Sequence, residues 1–141
     1  MYRAYLLIVS AVGEAGTGLL LLLLPSVPLA LLIGVEHASS ETVLVTRLAG
    51  AALLAIGVAC WAARNDHGSF AQLGLVTGLF IYDVAAAALL TYAGLVLNMA
   101  GILLWPVVVI HGVLAIWCIF CLSVVPSRAS AAQEQMRKTP P

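Results

Sequence analysis

Glu14, Asp83 and His111 are the residues best equipped for chemistry, and each stands in a long apolar run: SAVGEAGTGLLLLLLP, IYDVAAAALL and VVVIHGVLA. A carboxyl or imidazole group in such surroundings exchanges protons or holds a polar molecule that has no other partner there. Ser10 and Thr17 lie at i−4 and i+3 from Glu14, with Gly18 at i+4, which predicts a polar, small-residue stripe on one helix face. Tyr82 beside Asp83 predicts a hydroxyl donor into the same region. Ala86 and Ala87 share the Asp83 face, and Ala115 and Cys118 share that of His111. One ligand from each of three segments has no diagnostic metal spacing, so no metal is expected. A haem would lack a second intramembrane histidine. No residue is assigned a catalytic role.

The elements that must position these groups follow from composition. Hydrophobic residues make up 63% of the 141 residues and charged residues 9%. The mean hydropathy is +1.12, far outside the balance of a water-soluble domain. A spanning helix needs about 20 mostly apolar residues because the hydrocarbon core is ~30 Å thick. Four segments qualify, at 4–24, 43–63, 70–92 and 99–125. The expectation is an all-α polytopic membrane protein, an antiparallel bundle of four transmembrane helices over residues 1–126, with a mobile cytoplasmic tail at 127–141. Continuous apolar runs argue against a β-barrel, whose strands alternate. The first run is read as a permanent helix because it is long, contains Glu14 and is followed by no small-x-small cleavage site.

The centres of the first, third and fourth spans fall near residues 14, 81 and 112. That puts Glu14, Asp83 and His111 within about 3 Å of one depth. A charged group at mid-membrane costs about 2.5–3.5 kcal/mol on the lenient insertion scale, so these side chains should face inward and find partners.

Charge placement gives the orientation. Arg3, Arg64, Arg128, Arg137 and Lys138 fall on one side and only Arg47 on the other, which makes both termini cytoplasmic. Arg47 lies roughly 9 Å outward of the centre of its span. It either snorkels to the outer headgroups or turns inward to pair with Glu14, with Glu41 as a further partner. The loop PSVPLALLIGVEHASSET opens on a helix-stopping proline, and its LALLIGV is too short to span. This piece is expected in the interface or folded back against the helices. The turn RNDHGS and the connection YAGLVLN are short, which favours antiparallel neighbours. Basic and acidic residues number six each, so charge gives no reason for a nucleic-acid partner.

Cys118-x-x-Cys121 and Cys60 come close to one level at the cytoplasmic end. The spacing is similar to that of quinone-linked, four-helix thiol-disulfide exchangers. Their cysteines belong on the oxidising side, so here the favoured reading is small residues in helix packing. Trp61, Trp105 and Trp117 with Tyr2, Tyr5 and Tyr92 suit an interfacial belt, and Pro106 is expected to kink the fourth span. Gly74 and Gly78 form a small-xxx-small stripe that, with Tyr82 and Ala85, is expected to lie opposite Asp83. The stripe would receive another helix of the bundle, or a homo-oligomer or membrane-complex partner.

The second span opens with RLAGAALLAIG, that is Arg47-x-x-Gly50-x-x-x-Leu54-x-x-Gly57. This resembles the helix-opening pattern of DoxX-like proteins, small four-helix bacterial membrane proteins. The resemblance implies an inner-membrane bundle and, for some relatives, association with quinone-linked sulfur oxidation. The functional expectation is a non-enzymatic protein whose central polar site, built from Glu14, Arg47, Asp83, His111, Ser10, Thr17 and Tyr82, binds a small or amphipathic ligand or relays protons. A quinone or a bound lipid would suit such a site. The rivals are an accessory subunit of a quinone-linked oxidoreductase and an assembly subunit whose polar groups only set helix pairing.

Overall fold

The computed structural model describes residues 2–35, 37–66 and 69–123. The tail at 127–141, Glu36 and His67 lie outside the described residues. Five helices and no strand are found among them: α1 Tyr2–Leu23, α2 Ser26–Ile33, α3 Ser40–Ala63, α4 Phe70–Leu95 and α5 Leu104–Ser123. All but α2 are long and apolar enough to cross a membrane.

Local chemistry sets the helix ends. Ser39 and Ser69 are N-caps whose hydroxyls accept from the Thr42 and Gln72 amides at 3.3 and 3.0 Å. Gln72 also donates its side-chain amide to the Ala63 carbonyl at 3.2 Å, so a buried residue of α4 satisfies the open end of α3. Gly34 ends α2 in the left-handed region at φ 73°, with Gly34 N–H donating to Ala30 O and Val35 N–H to Leu29 O. The Gly34 bond is that of the αL C-cap motif, whose left-handed residue favours glycine.

The fourth long helix starts later than its composition suggests. Residues from Asn98, itself at φ 53°, to Leu103 form a loop, and the Leu103 amide donates to Leu31 O at 2.9 Å. That bond fastens α2 to the chain ahead of α5, and α2 folds back against α1 and α5. Pro106 consequently falls in the first turn of α5. An N–H is unpaired there in any helix, so proline has no ladder bond to break and the expected kink is replaced by a helix start.

The long helices associate as two pairs, α1 with α3 and α4 with α5, with lighter contact between the pairs. Small residues explain the first pair. A Cβ on Gly18 would come within 2.7 Å of the Gly50 carbonyl oxygen, and one on Gly57 within 2.7 Å of the Ala15 nitrogen. Backbone therefore rests on backbone, a packing that larger residues would prevent. Gly74 and Gly78 behave differently. Both are exposed, with nothing within 4 Å of an added Cβ, so no helix among the described residues covers them.

Polarity is arranged inside out. Leu44, Leu48, Leu89 and Ile116 are exposed, while Ser10, Glu14, Thr46, Gln72 and Asp83 are buried. The apolar core gathers towards one end, where Leu6, Leu7 and Ala11 meet Cys60, Val76, Leu79, Cys118 and Cys121. At that end Arg3 donates from Nε to the Cys121 carbonyl at 3.1 Å, closing an open position at the end of α5. Trp117 packs on this core rather than in an outer belt. Arg64 stacks on Trp61, 4.0 Å from the ring centre, and donates to its carbonyl.

Candidate functional site

The two helix pairs face each other across a polar cluster. From α4 and α5, Asp83 Oδ1 and His111 Nδ1 meet at 2.8 Å. Where the carboxylate is ionised it only accepts, so the imidazole then donates from Nδ1, and a neutral ring leaves Nε2 as an acceptor. Asp83 is 1% exposed and the His111 side chain 13%. The Tyr82 ring stands edge-on to the imidazole, with centres 5.5 Å apart and planes at 83°. From α1, Glu14 is 6% exposed. Its carboxyl interacts with the Tyr82 hydroxyl and lies within electrostatic range of both His111 and Asp83.

Helical spacing accounts for the convergence. Leu7, Ser10, Ala11, Glu14 and Gly18 form the buried stripe of α1, at the i+3 and i+4 steps of one face. On α4 the buried stripe is Gln72, Val76, Leu79 and Asp83. On α5 Ala115, Cys118 and Cys121 are buried beyond the half-buried His111. Each ionisable group therefore extends a packing stripe at its own level.

Two buried polar atoms have no partner among the described residues: Asp83 Oδ2 and Ser10 Oγ. A buried acceptor without a partner costs about 1–3 kcal/mol, more when charged.

Of the residues expected here, the structure brings Glu14, Tyr82, Asp83 and His111 together, and Ser10 is buried one turn from Glu14. It does not bring in Arg47 or Thr17, which are both exposed. Arg47 points away because its own face of α3 is the outer one, while Gly50 and Gly57 face α1. Thr17 falls off the stripe because Glu14 and Gly18 define the contact with the neighbouring helices and i+3 lies to one side of it. Of the two readings of Tyr82, beside Asp83 or on the Gly74 and Gly78 face, the structure shows the first: its ring turns towards His111, while Ala85 is exposed with the glycines.

The cysteines border the cluster. Cys60, Cys118 and Cys121 are free thiols and buried, with Cys60 in electrostatic range of Glu14 and Asp83, and Cys118 in range of Asp83. No group of three or more His, Cys, Asp or Glu side chains among the described residues is arranged to hold a metal ion. Gln72, a buried polar residue missing from the expected set, was signalled by the Ser69-x-x-Gln72 spacing of a capping box.

An apolar groove lies outward of the cluster, about 210 Å³ in volume, between Leu21 of α1, Pro28, Leu29 and Leu32 of α2, Val45 and Ala49 of α3 and Leu90 of α4. Leu21 and Leu90 are each seven residues beyond Glu14 and Asp83, two turns along the same helix faces. Compared with models of protein families, with curated proteins and with solved structures, the chain matches none.

Proposed function

We propose that the chain is an integral membrane protein, a bundle of four antiparallel spanning helices with both termini cytoplasmic, whose cluster of Glu14, Tyr82, Asp83 and His111 binds a small or amphipathic molecule at mid-membrane. The observation that carries this reading is the Asp83 carboxylate, buried, held by His111 through one oxygen and unpartnered at the other. If helix pairing were the only role, an isolated Asp–His pair with both oxygens satisfied would suffice. A binding role explains the open acceptor.

Membrane embedding is supported by four long apolar helices with outward aliphatic side chains. The orientation rests on Arg3 and Arg64 at one end and Arg47 towards the other. A DoxX-like relationship fits the part played by Gly50 and Gly57 in the α1 seam, and adds quinone or lipid to the candidate ligands. Ligand binding is favoured over a proton relay across the membrane. A relay needs polar groups from face to face, whereas beyond the cluster the interior becomes Leu6, Leu7, Val76 and Leu79.

The test compares Glu14→Gln and His111→Ala with the parent protein in lipid nanodiscs. Loss of a co-purifying small molecule with helix content retained supports the binding site. Unchanged bound material with lowered thermal stability would make the cluster structural.

A further inference from the structure

We propose that the ligand of this site is an amphipathic amine, its ammonium group held by Asp83 and Glu14 and its apolar tail lying in the groove beneath α2. The inference rests on the central binding site proposed above and names its ligand class.

The donor and acceptor inventory decides the head group. Asp83 Oδ2 and Ser10 Oγ are unpartnered, the Glu14 carboxyl faces the same interior, and the His111 Nε2 is left as an acceptor once Nδ1 donates to Asp83. Acceptors outnumber donors. Among the described residues no lysine or arginine reaches the cluster: Arg3 is bonded to Cys121 O, Arg64 to Trp61 O, and Arg47 is exposed. Two carboxyl groups with one imidazole and no fixed cation complement a positively charged donor. A quinone offers only acceptors and would leave Asp83 Oδ2 unpaired. A bare metal ion is not favoured, since no ligand cluster for one is present among the described residues. The edge-on pair of Tyr82 and His111 adds aromatic surface beside the head group.

The groove decides the tail. Its lining of Leu21, Leu29, Leu32, Val45, Ala49 and Leu90 is almost entirely apolar. Two helical turns separate it from the carboxyl groups, about 10 Å, the reach of an octyl chain. Short helix α2, held by the bond from Leu103 N–H to Leu31 O, forms its outer wall.

The experiment measures binding of octylammonium to the full chain in nanodiscs by calorimetry, with empty nanodiscs as the blank, beside octanol and octyltrimethylammonium. Saturable binding of one octylammonium per chain is expected, at least about tenfold tighter than octanol, a difference of about 1.4 kcal/mol. Octyltrimethylammonium, charged but without N–H donors, should fall between them. Asp83→Asn and Glu14→Gln should each weaken octylammonium binding by about tenfold or more. Leu90→Trp, which fills the groove and leaves the carboxyl groups in place, should weaken octylammonium more than methylammonium and keeps the test open if a carboxyl variant misfolds. Equal affinity for octanol and octylammonium, lost in Asp83→Asn, would overturn the amine and leave the central site standing. No saturable binding of any probe, with every variant behaving like the parent, would overturn both.

Discussion

Asp83 grips His111 with one carboxylate oxygen at 2.8 Å and keeps the other buried and unpartnered. The pair joins α4 to α5, so its two residues should depend on each other. Asp83→Ala and His111→Ala are each expected to lower stability in detergent by about 1–3 kcal/mol. The double variant should lose less than their sum, with a coupling of about 0.5–3 kcal/mol in a double-mutant cycle. Additive losses would mean that the contact does not contribute.

The α1–α3 seam should be intolerant of side chains. Gly50→Leu or Gly57→Leu places atoms where backbone now sits and should lower stability by about 1–3 kcal/mol or more. Gly74→Ala and Gly78→Ala, which meet nothing within 4 Å, should stay within about 0.5 kcal/mol. Thermal unfolding of the four variants in one detergent checks both halves. Strong destabilisation by Gly74→Ala or Gly78→Ala would instead reveal a partner covering that face.

Arg47 and Thr17 are exposed and should be energetically separate from the cluster. Arg47→Ala and Thr17→Val are expected to change stability by less than about 0.5 kcal/mol, alone or on a Glu14→Gln background. A large coupling between Arg47→Ala and Glu14→Gln would show that the guanidinium swings inward.

Cys60, Cys118 and Cys121 lie in the core at 0, 0 and 2% exposure. A maleimide should leave all three unmodified in the folded protein and label all three after denaturation, as mass spectrometry would record. Fast labelling of Cys60 or Cys118 without unfolding would show that the core opens beside the cluster.

Much of this was legible in the chain because membrane-length apolar runs and their polar interruptions are strong one-dimensional signals. Their place in the apolar runs singles out Glu14, Asp83 and His111, and the fold gathers all three about one interior. Sequence spacing was less able to say which way Arg47, Thr17 and Tyr82 turn. Those directions depend on which helix each face meets, and the α1–α3 and α4–α5 pairing is not written in any one helix. Met99 to Leu103 reads as apolar and therefore as helix, yet the αL turn at Asn98 and the bond to Leu31 hold it as a loop. Pro106 changes meaning with it, from a kink to a first-turn residue.

The most direct measurement of the central claim is native mass spectrometry of the chain released from lipid nanodiscs, beside Asp83→Asn and Glu14→Gln. A small molecule should be retained by the parent chain and missing from both variants while their helix content is unchanged. The bare chain mass for all three after release, with no adduct on the parent chain, would contradict the proposed binding site.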